Sequence, residues 1–197
     1  MKTSIPEDIQ LRGGALCLDF ANSVDWSQSG EHVAPDYTDA LREPEMLTRW
    51  GRRLGLVGDA APTSAAGELE AARELREAIY ATFAAIAGGG SPEPADLETL
   101  AATHASAALR AELAPAGETW RLTWPPGEAA AIRFAVARDA LELLGDEDRL
   151  GRVSRCPGRD CGWLFVNASG RRRWCAMDAC GSREKMRRLY ERRRAGI

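Results

Sequence analysis

Four closely spaced cysteines near the carboxyl end are the residues of this 197-residue chain best suited to chemistry. Their spacing is C-x4-C-x13-C-x4-C, and they are Cys156, Cys161, Cys175 and Cys180. A segment this short cannot bury an adequate core alone, so we predict a structural Zn²⁺ held by all four sulfur atoms. Four protein ligands leave no open position for catalysis. Two disulfides or ordinary buried cysteines are the alternatives.

Charge divides the chain at the same place. Residues 151–197 hold 13 Lys and Arg against 4 Asp and Glu, whereas residues 1–150 hold 13 basic and 25 acidic side chains. A basic module is typical of a polyanion partner, so we predict DNA binding. A basic tail that rests on the acidic body is the alternative. The predicted nucleic-acid-binding residues are Arg171, Arg172, Arg173, Arg183, Lys185, Arg187 and Arg188.

Composition excludes several classes of protein. With 45% hydrophobic and 28% charged residues, the chain is too apolar for wholesale disorder, and it has no run of about 18 apolar residues that would span a membrane. Residues 1–8 lack the apolar segment of a secretory signal, which predicts a cytoplasmic protein. Because neither a phosphate-binding glycine loop nor a serine-hydrolase elbow occurs, an enzyme is not expected.

Apolar spacing predicts a mainly helical first part. Leu16, Phe20 and Val24 recur every four residues, which is typical of a short buried helix. Further helices are predicted at 46–54, 67–87, from Pro94 onward and at 128–144, and a strand at 119–124. The inner face of the helix that begins at Pro94 is predicted to be Leu97, Leu100, Ala101, Ala108 and Leu113.

Polar residues on the first predicted helix form a possible ligand pocket. Asp19, Asn22 and Ser23 would share one face of that helix, with Trp26 nearby. Such a cluster suits a small-molecule effector, but it equally caps a helix end and pins the helix in place. Both interpretations stay open at this point.

The second part is predicted to be a small module that follows a hinge at residues 146–148. Residues 162–166 have high strand propensity, and residues 171–175 are predicted to return as the other strand of a hairpin. Ser182 is predicted to cap a final helix. The aromatic residues expected to supply the core are Trp163, Phe165 and Trp174. The residues of the final helix expected to face inward are Met186, Leu189 and Tyr190.

The carboxyl-terminal part resembles the CGNR zinc finger. The similarity rests on the cysteine spacing and on three motifs, which are Trp163-Leu164-Phe165, Arg172-Arg173-Trp174-Cys175-Ala176-Met177 and Cys180-Gly181-Ser182-Arg183. Ser182 stands where the family name has Asn, and Asn167 stands where Asp is usual. In that family the module usually follows a helical domain called ABATE, described as a stress-induced transcription regulator. The stretch from Leu16 to Asp25 looks like that domain's opening motif.

The resemblance covers essentially the whole chain and implies its organisation. It implies an ABATE-like helical domain over residues 1–148 and a zinc finger over residues 149–197, with the four cysteines as zinc ligands. The expected fold is mainly α, with a short β element in the first domain and a zinc-stabilised β-hairpin and helix in the second.

Three hypotheses about function follow. The preferred one is a transcription regulator that binds DNA through the zinc module, while its helical body senses an effector or forms a homodimer. The second is a zinc-stabilised adaptor that binds protein or RNA and has no sequence-specific DNA binding. The third is an enzyme whose active site lies in the helical body.

Overall fold

The chain folds mainly into helices, as the sequence predicts. The structure is a computed structural model that describes residues 11–33, 39–125 and 127–194, so the segment examined for a targeting signal lies outside the described residues. None of the described helices is long and apolar enough to cross a membrane. The helices are α1 (Leu16–Ala21), α2 (Pro44–Arg53), α3 (Ala66–Ala87), α4 (Pro94–Arg110), α5 (Ala131–Leu144), α6 (Glu147–Leu150) and α7 (Ser182–Arg194).

The strands form two small antiparallel sheets. One sheet pairs β1 (Glu112–Ala116) with β2 (Thr119–Thr123), and the other pairs β3 (Val153–Arg155) with β4 (Leu164–Val166). A π-helical turn, Met177–Gly181, leads directly into α7. The predicted fold class is therefore confirmed, with a small β element in each part of the chain.

The short helix α1 lies at the centre of the body. It packs against α3 on one side and α5 on the other. Leu18 and Phe20 are fully buried, and the Phe20 ring meets the Trp50 ring of α2 edge-on at 5.1 Å. Only a helix with apolar residues on most of its surface can be enclosed in this way.

Strand β4 belongs to two hydrophobic cores at once. Because successive side chains of a strand point to opposite faces, Leu164 and Val166 enter the core of the helical body, whereas Phe165 enters a second core made by the four cysteines. The backbone N–H of Val166 also donates to the Gly13 carbonyl at 2.7 Å. The cysteine module is therefore built into the body.

The predicted hinge is wrong, and the predicted hairpin is present with a different partner strand. Asp146 caps helix α6 by accepting a hydrogen bond from the Arg149 N–H at 3.0 Å, so residues 146–148 are ordered helix and cap. β4 pairs with β3 instead of with residues 171–175. The Asn167 carboxamide turns the chain by accepting the Arg172 N–H at 2.9 Å, which carries residues 171–175 back toward the cysteines instead of along β4.

Two further local predictions need correction. Ser182 is the first residue of α7, and its hydroxyl donates back to the Met177 carbonyl at 3.0 Å instead of accepting a capping bond, because the π-helical turn runs into the helix without a break. The inner face of α4 consists of Leu100, Thr103 and Ala107. Leu97 is 39% exposed, Ala101 and Ala108 are exposed, and Leu113 lies in β1.

Candidate metal centre and basic helix

The four cysteines of the module converge on one point. Their sulfur atoms lie within 4.8 Å of one another, and all four residues are buried. The Sγ atom of Cys175 lies 3.7 Å from that of Cys161 and 3.5 Å from that of Cys180. A regular tetrahedron with metal–sulfur bonds of about 2.3 Å has edges of roughly 3.8 Å. The spacing therefore fits one tetrahedral ion.

Two loops and the π-helical turn bring the cysteines together. Cys156 follows β3 directly and Cys161 ends the tight loop after it, while Cys175 and Cys180 come from the segment before α7. Gly158 lies at the top of that loop, where a Cβ atom would stand 3.3 Å from the Cys180 sulfur. A side chain at this position would therefore crowd the Cys180 sulfur and require the loop or the sulfur to shift by a few tenths of an ångström.

Neighbouring thiols compete for negative charge in this cluster. Hydrogen bonds from the thiols of Cys161 and then Cys175 lower the pKa of Cys156 to about 2, while the bond to Cys156 raises the pKa of Cys161 far above its ordinary value. The protein groups alone thus favour a thiolate at Cys156 beside a protonated thiol at Cys161. A bound cation removes this competition because it lets all four sulfur atoms lose their protons.

Three side chains outside the cysteine set hold this centre in place. The Gln28 amide nitrogen lies among three carbonyl oxygens, those of Cys156 and Gly158 at 2.7 and 2.9 Å and that of Cys161, which share its two hydrogens. Arg172 donates to the Cys175 carbonyl and lies over the Phe165 ring, and Arg183 donates to the Cys180 sulfur at 3.2 Å. Gln28 is more than 120 residues from its partners, so no spacing in the sequence indicates its role.

The aromatic residues of the module have different environments. Phe165 is 1% exposed and lies in the cysteine core, as predicted. Trp163 is half-buried, and its indole N–H donates to the Asp25 carboxylate at 3.0 Å. Burial raises the pKa of that carboxyl group. Trp174 is also half-buried, with the Arg173 guanidinium 5.4 Å from its ring centre.

The predicted nucleic-acid-binding residues fall into three groups, which are exposed to solvent, in contact with the cysteine centre, or paired with Glu184. Arg171, Arg173 and Lys185 are exposed. Arg172 and Arg183 contact the cysteine centre, as described above. Arg187 and Arg188 both bind Glu184, at 2.7 and 2.8 Å, and they hold the pKa of that carboxyl at about 2.

Helix α7 projects from the metal centre with no buried residue. Its inward face was predicted wrongly, since Met186, Leu189 and Tyr190 are 63%, 41% and 63% exposed. The helix follows the π-helical turn, which is the element it packs against most closely. The basic tail is thus displayed to solvent instead of being buried on the acidic body.

One polar residue of the possible ligand pocket, Asn22, joins the body to the module, and Ser23 makes its contact within the body. The Asn22 amide donates to the Leu164 carbonyl at 2.8 Å, and its oxygen accepts the Leu164 N–H at 2.9 Å. Ser23 meets the guanidinium of the buried Arg76, which pairs with Asp39 at 2.7 Å. Asn22 and Ser23 are each 3% exposed. Of the two interpretations, pinning of the helix is the arrangement seen here.

The Asp19 carboxyl group lies in the same region, and its ionisation should affect stability measurably. It accepts the Gly13 N–H at 2.7 Å, and burial raises its pKa from 3.8 to about 6. Since the folded state binds the proton more tightly than the unfolded state, the stability from this group is present below pH 4 and is lost as the pH rises through 6.

Asp19→Asn is therefore expected to stabilise the protein at neutral pH. The amide keeps an oxygen for the Gly13 N–H and removes a buried charge that costs about 3 kcal/mol at pH 8. Its NH2 group cannot accept the Arg12 N–H, which loses about 1 kcal/mol, so the expected net gain in unfolding free energy is about 2 kcal/mol. Urea unfolding of both proteins at a series of pH values from 5 to 8 measures the difference, which should shrink toward pH 5. If the two proteins differed in unfolding free energy by the same amount at every pH, the raised pKa of Asp19 would be contradicted.

Two family models match this chain. The ABATE model, described as "Putative stress-induced transcription regulator", matches residues 14–147. The chain belongs to this family. The CGNR zinc finger model matches residues 152–193, which contain all four converging cysteines. The resemblance seen in the sequence is thus confirmed in both parts, and neither description names a catalytic activity. No curated protein matches the chain.

Zinc is the metal that this centre fits. The model that matches residues 152–193 is that of a zinc finger, and the donor set there is four closely spaced thiols, which are the ligands of structural zinc sites. When bound, zinc would supply a cross-link and no reaction, because four sulfur ligands fill its coordination shell.

Proposed function

We propose that the protein is a zinc-stabilised transcription regulator that binds duplex DNA through its carboxyl-terminal module. The observation that supports this proposal is the display of α7. The helix carries seven basic and two acidic side chains, none of its residues is buried, and its first turn is fixed to the cysteine centre by Arg183. An exposed cationic helix that is already folded can neutralise phosphates without the entropic cost of ordering its backbone on binding.

In this proposal Cys156, Cys161, Cys175 and Cys180 hold one structural zinc ion. Residues 149–197 form the unit that meets DNA, and residues 1–148 form the body that carries it. The exposed Arg171 and Arg173 lie on the segment that leads to Cys175 and add charge near the base of α7. Arg172 takes a structural part, because it contacts the metal centre.

Affinity for duplex DNA measured against salt concentration tests the proposal. Four phosphate contacts predict a loss on the order of 100-fold between 50 and 200 mM salt, and the double variant Lys185→Ala/Arg192→Ala should lower the log–log slope by about 1.8. Both residues are exposed, so the variant should fold and keep its zinc.

A matched control separates this surface from general charge. Arg121→Ala removes an exposed cation from β2, and it should leave the slope unchanged. Equal effects of the two variants, or a binding constant that does not respond to salt, would reject the proposal. An adaptor would instead bind all duplex sequences alike, so selection from a random duplex pool should enrich a motif only if the protein is a regulator.

A further inference from the structure

Three apolar side chains form an exposed ridge on the charged helix α7. Met186, Leu189 and Tyr190 follow the spacing i, i+3 and i+4, which places them on one face of the helix. Their exposure of 63%, 41% and 63% is unusual on so cationic a helix. Large apolar side chains presented together in this way mark a contact surface.

Cationic side chains border this ridge on both sides. At 3.6 residues per turn, Arg183, Arg187 and Arg194 follow one edge of the ridge, and Lys185, Arg188 and Arg192 follow the other. The seventh cation, Arg193, lies on the line of the ridge one turn beyond Leu189 and ends its apolar part. The two acidic residues, Glu184 and Glu191, fall on the opposite face of the helix. At the start of α7 that opposite face is turned toward the protein, because Glu184, together with Arg183 and Arg187, lines a small pocket with Gly158 and Asp160 of the first cysteine loop. The ridge therefore points away from the module.

This pattern matches a nucleic-acid groove better than it matches a second copy of the helix. A groove has two phosphate strands with base edges between them, and the major groove is about 12 Å wide, which admits a helix of about 10–12 Å diameter. In a symmetric pair of α7 helices, the cationic borders of the two copies would meet each other and repel. Charge complementarity thus selects DNA as the occupant.

We propose that α7 lies in the major groove and that its ridge contacts the C5-methyl groups of thymine. The inference rests on the proposed function and adds the class of sequence recognised, which is a site containing A·T pairs. Apolar side chains read thymine through its methyl group, which is the one apolar feature of the major-groove edges. The exposed border cations Lys185, Arg192 and Arg194 would fix the helix through phosphates, because Arg183 and Arg187 are held by the cysteine centre and by Glu184.

Duplexes that differ only in this methyl group test the inference. A motif selected from a random duplex pool is synthesised with thymidine and with deoxyuridine, which lacks the methyl group and keeps every hydrogen-bonding edge. Each methyl buried against the ridge should make the thymidine duplex bind about four-fold more tightly. Leu189→Ser and Met186→Ser should reduce this preference and leave the salt slope unchanged.

Lys185→Ala is the matched control on the same helix. It should weaken binding to both duplexes equally and lower the salt slope by about 0.9. Equal binding of the two duplexes by the native protein would overturn the inference while leaving the proposed function intact. Absence of salt-dependent duplex binding would overturn both. A change in the solution mass of the protein on Leu189→Ser, without a change in thymine preference, would assign the ridge to contact between copies.

Discussion

Replacing Cys175 with serine is expected to abolish zinc binding and to unfold the carboxyl-terminal module. Structural zinc sites contribute about 10–16 kcal/mol of apparent binding free energy, which equals or exceeds the whole stability of an ordinary domain. The module's own core is small, because it consists of the cysteines, Phe165 and Ala176 with a few half-buried neighbours, and its contacts with the body start from segments that the metal centre positions. Metal analysis should show one zinc per native chain and none in the variant.

The loss should extend beyond the module into the helical body. Leu164 and Val166 belong to the body core although they lie between the cysteines. Hydrogen exchange should therefore become fast in residues 152–181 and also faster in α1, which contacts β4. The thermal transition of the whole chain should fall in temperature, and a metal chelator should reproduce this effect on the native protein.

Cys17→Ser provides the control for the loss of a buried thiol. Cys17 is fully buried in α1 and lies outside the cysteine cluster. Its replacement should cost only the ordinary penalty of a buried polar group, about 1–3 kcal/mol, and should keep one zinc per chain. If both variants retained zinc, or if both lost it, the four-cysteine centre would be disproved.

The helices and the metal centre could be predicted because each depends on a local pattern. The apolar spacing within 67–87 and within 128–144 is strong enough to identify α3 and α5, since burial of one face decides the conformation. The four cysteines are equally clear, because few other arrangements of thiols suit so short a segment. Sequence therefore reveals the parts of the molecule.

The connection between those parts could not be predicted. Leu164, Phe165 and Val166 form a continuous apolar run, and nothing in that run shows that alternate residues enter different cores. The predicted pairing of residues 171–175 with β4 is wrong for a related reason. β4 pairs with β3, which precedes the cysteine loop, and strand propensity does not specify which segment a strand pairs with. Met186 and Leu189 are predicted to face inward because they are apolar and share one helix face, but the same spacing also describes an exposed contact face, and the sequence does not distinguish the two.

Asn22→Asp is expected to destabilise the join between body and module severely at neutral pH. The native amide donates to the Leu164 carbonyl and accepts from the Leu164 N–H, and the residue is 3% exposed. A carboxylate of the same shape keeps the acceptor but loses the donor, so a buried charge then faces a carbonyl oxygen. The expected loss of unfolding free energy at pH 8 is about 3–5 kcal/mol.

The pH dependence of this loss distinguishes a broken hydrogen bond from a packing defect. A protonated aspartic acid regains an O–H donor for the Leu164 carbonyl, so the pKa of the new carboxyl should lie above its unfolded value. The stability that protonation restores is present at low pH and is lost as the pH rises through the folded pKa. Urea unfolding of variant and native protein should therefore show the difference shrinking from pH 8 to pH 5.

Asn167→Asp is the matched control for the same chemical change. The Asn167 side chain accepts the Arg172 N–H at 2.9 Å, and a carboxylate accepts that bond equally well at this half-buried position. The unfolding free energy of the control should therefore lie within about 0.5 kcal/mol of that of the native protein at pH 8. A loss at Asn22→Asp that stayed constant with pH, or a similar loss at Asn167→Asp, would show that the Asn22 amide does not hold the cysteine module to the body.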